Sequence, residues 1–217
     1  MTRPPLARTD HTTVRYAARA SYDRDLAYRI IDETTVAHVG FVDDGRPFVI
    51  PMLHARIDDR LYLHGSPATR LMRRAKAGLE VCVTLTIVDG LVLARSAFHH
   101  SANYRSVVLF GTTETVQDVD ERRRILDAYV DKLLPGRRPH LRPMTDKEVR
   151  GTAMASILID EASVKMRTGG PNDEEEDYEL PIWAGVLPVR RGYESPEPDP
   201  RNPAMLEIPT HIHEMTR

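Results

Sequence analysis

Asp59–Ala77, DRLYLHGSPATRLMRRAKA, reads as a strand, a sharp bend and a helix in succession. Leu61, Tyr62, Leu63 and His64 have strand character. Gly65 permits the bend, Ser66 suits the N-cap, and Pro67 suits the first helical position, where its missing N–H costs nothing. Leu71, Met72 and Ala75 then recur at helical spacing. The first turn carries no acid to match the positive end of the helix dipole, and Arg70, Arg73 and Arg74 follow instead. Free N–H groups, a capping hydroxyl and a guanidinium together make an anion site, with phosphate the usual occupant. The plainer alternative is a capped helix with solvated arginines.

Upstream, Thr35–Val42 alternates like a strand, Asp43-Asp44-Gly45 turns, and Arg46–Ile57 returns as a second strand. Asp58-Asp59 makes the next turn. This is an antiparallel meander, and it places His54 and His64 on neighbouring strands, near one another at the end that leads into the anion helix. Before it, residues 1–20 read as an arm, and Ser21 or Asp23 can cap a short helix bearing Leu26, Ile30 and Ile31.

Downstream, Glu80–Val88, Val92–Phe98 and Arg105–Val116 read as strands, with His99–Tyr104 a polar loop between the last two. Val119–Leu134 is an amphipathic helix capped by Asp118 or Asp120, with Ile125, Leu126, Tyr129, Val130, Leu133 and Leu134 on one side, and Pro135-Gly136 ends it. Thr145 and Glu148 form a capping box for another helix. Ala155–Arg167 reads as one strand, 172–179 as an acidic mobile loop, Trp183–Val189 as a last strand, and the Pro-rich tail from Ser195 as extended chain. Six or seven mostly sequential strands with inserted helices close most economically into a small barrel, because closure removes exposed edges. A doubly wound parallel fold is disfavoured. The expected layout is an arm (1–20), one domain (21–190) and a tail (191–217).

The 217 residues carry a net charge of −2, with no basic region that points to nucleic acid. Cys82 is the sole cysteine, so no intramolecular disulfide forms, and its apolar run marks it as a small buried hydrophobe. The opening MTRPPLARTD lacks a signal peptide's apolar core, and no apolar run reaches membrane-spanning length. The expectation is a soluble cytoplasmic protein without nucleic-acid or membrane partners. His99 and His100 are adjacent and would point to opposite faces of a strand, and no spaced ligand set exists, so no metal is expected. His211 and His213 are expected to be solvated. There is no GxGxxG, Walker loop or GxSxG elbow. Asn103, Tyr104, Arg105 and Ser106 place donors at the head of an apolar strand, an arrangement suited to a planar heteroatom-rich ring.

Four segments carry a resemblance: VIPMLH (49–54), LYLHGSPATRL (61–71), VCVTLTIVDGLVLARSAFHHSANYRSVVLFG (81–111) and PIWAGVLPV (181–189). Together they resemble the pyridoxamine 5'-phosphate oxidase-like FMN-binding split barrels, in the flavin-nucleotide-binding branch that includes the 5-nitroimidazole resistance proteins. The resemblance covers roughly residues 20–190. It implies a six-stranded antiparallel split β-barrel that dimerises with FMN at the interface. It places Val49, Ile50, Pro51, Met52 and His54 along the flavin, His64, Gly65, Ser66, Thr69 and Arg70 at the phosphate, and Leu63 among the cofactor-binding residues. Arg105 and Ser106 fall near the ring, and His64 is the implied catalytic histidine. Two departures stand out. Thr69-Arg70 replaces the oxidases' serine–arginine–lysine run, and their C-terminal arginine motif is not recognisable after Trp183. The implied activity is therefore a flavin-dependent reductase acting on a small molecule. The alternatives are a flavin carrier or sensor without turnover, and a haem-binding relative with an axial histidine. FAD or a deazaflavin in place of FMN also stays open.

Overall fold

Asp44 and Gly45 take φ of 50° and 72°, the left-handed pair that a two-residue hairpin turn requires. They join β2 to β3, and Asp58 (φ 54°) helps turn β3 into β4. These turns set the frame of the computed structural model, which describes residues 3–203 and 207–216. In chain order the elements are β1 (Ala20–Ser21), α1 (Arg24–Glu33), β2 (Val36–Asp43), β3 (Arg46–Ile57), β4 (Arg60–Gly65), α2 (Arg70–Ala75), β5 (Glu80–Leu93) and β6 (Ser101–Thr112). There follow β7 (Glu114–Thr115), α3 (Val119–Leu133), α4 (Asp146–Gly151), β8 (Ala153–Leu158), β9 (Ala162–Arg167), β10 (Gly185–Pro188) and α5 (Thr210–His213).

The fold is mostly β, antiparallel, with inserted helices. Its strands are bonded in the order β1-β9-β6-β5-β2-β3-β4-β8-β7, with β10 added along β5. The path is open, so the expected closure of the sheet is corrected. The strand count is also higher than six. The expected strand Ala155–Arg167 divides into β8 and β9, because its first half pairs with β4 and its second with β6. Val92–Phe98 is not a separate strand: β5 runs on to Leu93 past an irregularity between Val88 and Gly90, and β6 begins at Ser101 inside the expected loop.

One core lies between the sheet and α1. Ile30 and Ile31 meet Val39, Leu61, Leu63, Val83, Leu85, Val107, Leu109, Ile157 and Val164, all at or near zero exposure. A second joins α3 to β3, β4 and β8 through Ile125 and Tyr129 against Ala55, Tyr62, Val116 and Met154. The helices begin at caps: Asp23 Oδ1 accepts from the Leu26 N–H, Asp118 from Glu121, and Thr145 and Glu148 complete the capping box.

Three outlying segments are more anchored than their composition implies. In the arm, Leu6 is buried, its N–H donates to Tyr22 O, and Ala7 bridges Glu161. In the acidic segment, the Asp173 carboxylate is buried and accepts from the backbone and side chain of Arg95, and Glu175–Glu179 form a 3-10 turn. In the tail, 204–206 lie outside the described residues, but α5 brings His211 to stack on His140 with centroids 4.4 Å apart, so His211 is not freely solvated. No helix among the described residues is long and apolar enough to cross a membrane.

Candidate functional site

The site begins where β3 changes partner. From Arg46 to Leu53 it pairs with β2, and from His54 to Ile57 it pairs with β4 on its other side. Pro47 lies opposite Val42 and Pro51 opposite His38. A proline cannot donate to the ladder, so these are non-hydrogen-bonded pairs, and the alternation makes Val49–Gly40 another. The Val49 N–H and the carbonyls of Pro47, Val49 and Pro51 therefore point away from β2, towards the split. Side chains alternate too. Phe48, Ile50 and Met52 pack on the core, whereas Val49 (66 % exposed), Pro51 and Leu53 (37 %) face outward. Of the residues expected along a cofactor, Val49 and Pro51 offer side chains to the open face, while Ile50 and Met52 serve the core.

The end of β4 lies beside this edge. Leu63 is fully buried, and His64 and Gly65 lead into a turn. The cap differs from expectation. The Ala68 N–H donates to Ser66 Oγ and the Thr69 N–H to Ser66 O, so Ser66 closes a turn of its own. The helix starts after it, with Thr69 as N-cap accepting from the Met72 N–H at 3.4 Å. The six-residue α2 brings little dipole, so an anion here would depend on the Arg70 guanidinium, the Thr69 and Ser66 hydroxyls and the first helical N–H groups. Arg70 is half-exposed. It lies 4.3 Å over the Phe48 ring and donates to Asp43 at 3.2 Å, a carboxylate that Arg74 also holds.

The two strand histidines lie at neighbouring register positions of β3 and β4, as expected, but present their side chains to opposite faces. His54 pairs with Leu63, so His64 falls on the opposite face. His54 is buried, and its Nε2 is 2.9 Å from Ile31 O and 2.6 Å from Lys132 Nζ. Burial, reinforced by the Lys132 charge, pushes its pKa down to about 4. Burial likewise lowers Lys132 to about 8. His64 instead sits edge-on to Tyr129, centroids 4.2 Å apart at 80°. Its Nδ1 is buried without a hydrogen-bond partner, and burial lowers its pKa.

Arg105 and Ser106 alternate onto opposite faces of β6. Arg105 is bound by two carboxylates, Glu33 at 2.5 Å and Asp89 at 2.7 Å, which raise its pKa. The Ser106 hydroxyl donates to Lys165 O. The structure thus brings Val49, Pro51, Leu53, His64 and the Ser66–Arg70 turn to one margin, and separates His54 and Arg105 from it by packing and ion pairs. A cavity of about 670 Å³ opens beside Phe48 and Val49, lined also by Cys82, Phe110, His11 and Glu161. Among the described residues no three His, Cys, Asp or Glu side chains gather as a metal site. Sequence reasoning missed Asp43, Lys132 and the polar role of Tyr129. Only the apolar stripe of α3 marked Tyr129, as core.

The family profile described as pyridoxamine 5'-phosphate oxidase matches residues 23–166. Among solved structures, the flavocytochrome Anf3 from Azotobacter vinelandii is 45% identical, with 97% of this chain and 99% of that one covered and a TM-score of 0.90. The FAD and haem binding protein from Mycobacterium smegmatis is 36% identical, with 91% and 97% covered and a TM-score of 0.87. A proposed 5-nitroimidazole antibiotic resistance protein from Bacteroides thetaiotaomicron is 22% identical, with 79% and 90% covered and a TM-score of 0.56, a likeness of fold. No curated protein matches the chain. The chain belongs to the pyridoxamine 5'-phosphate oxidase family, in its split-barrel form.

Proposed function

We propose that this chain is a homodimeric flavin- and haem-binding redox protein. The observation that carries the reading is its near end-to-end likeness to two proteins, one described as a flavocytochrome and the other as binding FAD and haem. The residues fit both groups. For a flavin, the open edge of β3 offers the Val49 N–H and free carbonyls, and Ser66, Thr69 and Arg70 would hold a phosphate. FAD is preferred over FMN on the strength of the Mycobacterium relative. For haem, the porphyrin supplies four ligands and a single histidine suffices from the protein, so no cluster of ligating side chains is required. His64, with no hydrogen bond among the described residues, would be that histidine, and His54 is already engaged. When bound, the flavin and haem supply hydride and electron transfer. The chain's own work is to hold them, exclude water and fix the histidine.

The dimer reading is supported by the outer sheet face, where Val42 and Val49 stand 60 % and 66 % exposed, with Leu53 and Val88 also uncovered. The test is the absorption spectrum of the full chain after purification and reconstitution with haemin and FAD. Flavin bands and a Soret band are expected, with FAD as the flavin released on denaturation and twice the chain mass by light scattering. Flavin bands alone would reduce the protein to a flavin carrier or reductase, released FMN would restore the cofactor expected from sequence, and neither band would overturn the reading.

A further inference from the structure

We infer that Tyr129 is a positioning residue that sets the orientation of the His64 imidazole. The inference deepens the proposed function and rests on it for the role of His64, but its geometric content stands separately. A ligating or proton-handling histidine ordinarily has its second nitrogen fixed by a carboxylate or carbonyl, which selects tautomer and ring angle. His64 lacks such a partner among the described residues, since its Nδ1 is buried and unbonded. What lies against its ring is the edge-on ring of Tyr129, 4.2 Å away at 80°.

Tyr129 is itself held from two directions. Its hydroxyl donates to Tyr62 O at 2.5 Å and lies 3.4 Å from Leu53 O. These carbonyls belong to β4 and β3 at the seam where β3 leaves β2 for β4. Around the ring, Ile125, Ala55, Tyr62, Val116 and Met154 form the second core, and Tyr129 is only 4 % exposed. A ring tied to both strands and wedged by a helix transmits the geometry of the seam to the imidazole beside it. Burial pushes the Tyr129 hydroxyl's pKa far above its ordinary value, so it remains a donor.

The experiment uses the full chain with ¹⁵N-histidine labelling, a His64→Ala control to assign the resonance, and the variants Tyr129→Phe and Tyr129→Leu. In Tyr129→Leu the His64 ring ¹⁵N shifts at fixed pH are expected to move away from the wild-type positions, as for an imidazole whose tautomer and ring angle are no longer fixed. In the haem-loaded chain the Soret band is expected to shift or broaden. Tyr129→Phe keeps the ring and loses the tether, and is expected to move the same signals by less. A folded Tyr129→Leu with His64 ¹⁵N shifts and Soret band matching the wild type overturns the inference. Where Tyr129→Leu does not fold, identity of Tyr129→Phe with the wild type overturns it. A chain that binds neither cofactor defeats the proposed function while the His64 ¹⁵N shifts still decide this point. Unchanged signals in a chain that binds both defeat the inference alone.

Discussion

Lys132 Nζ lies 2.6 Å from His54 Nε2, and both groups reach the carbonyl of Ile31 near the end of α1. One buried acceptor is shared by two bases, so both cannot be charged comfortably. The His54 pKa falls to about 4 from an ordinary value near 6.5. The unfolded chain therefore binds the proton more readily between these values, and stability falls as pH drops from about 6.5 to about 4. Integrated over that window the loss is on the order of 3 kcal/mol. Lys132, at about 8 against 10.5, acts with the same sign at alkaline pH, adding stability as pH rises through that range. Urea midpoints measured from pH 7 to pH 4 should fall steeply in the wild type and more shallowly in His54→Gln. An equal slope in the two would refute the assignment.

Arg70→Ala should weaken flavin binding by roughly 1.5–3 kcal/mol, the worth of a hydrogen bond to a charged group. Arg70 also touches Phe48 and Asp43, so thermal denaturation without flavin provides the control. Unchanged affinity in a fluorescence titration would remove the phosphate from this corner.

Much of this architecture was legible because its signals are local. Asp44-Gly45 announces a hairpin, and the Asp118, Asp23 and Thr145–Glu148 caps announce helices. The start of α2 is ambiguous in the sequence, since Ser66 and Thr69 are both competent caps, and only the bonds that Ser66 accepts from Ala68 and Thr69 decide between them. The break between β8 and β9 lacks glycine or proline at 158–162, since it is imposed by pairing with β4 and then β6, strands remote in sequence. The opposed faces of His54 and His64 were in principle readable. A two-residue turn at Asp58-Asp59 pairs Ile57 with Arg60, and counting back puts His54 opposite Leu63. The partners of Arg105 were not readable, because Glu33 lies 72 residues away.

Asp173→Ala should release the 172–180 segment, since the Arg95 backbone and guanidinium both depend on that carboxylate. Limited proteolysis with a glutamate-specific protease should cut the variant at Glu174–Glu179 faster than the wild type. Equal rates would show that Tyr178, stacked on Arg95 at 4.8 Å, suffices to hold it.

Gly111→Ala should destabilise the fold by about 1–3 kcal/mol, because a Cβ there would stand 2.8 Å from Ile157 Cγ2 in a filled core. A guanidinium unfolding curve measures this. A midpoint matching the wild type would mean that β6 and β8 can move apart without cost.

A strand border left uncovered is inviting to any stray polypeptide. Pro47 and Pro51 answer that danger. By withholding two donors from a row that an intruding strand would need, they leave a border that a fibril cannot readily extend. The interrupted row of donors is thus a safeguard for the newly made protein.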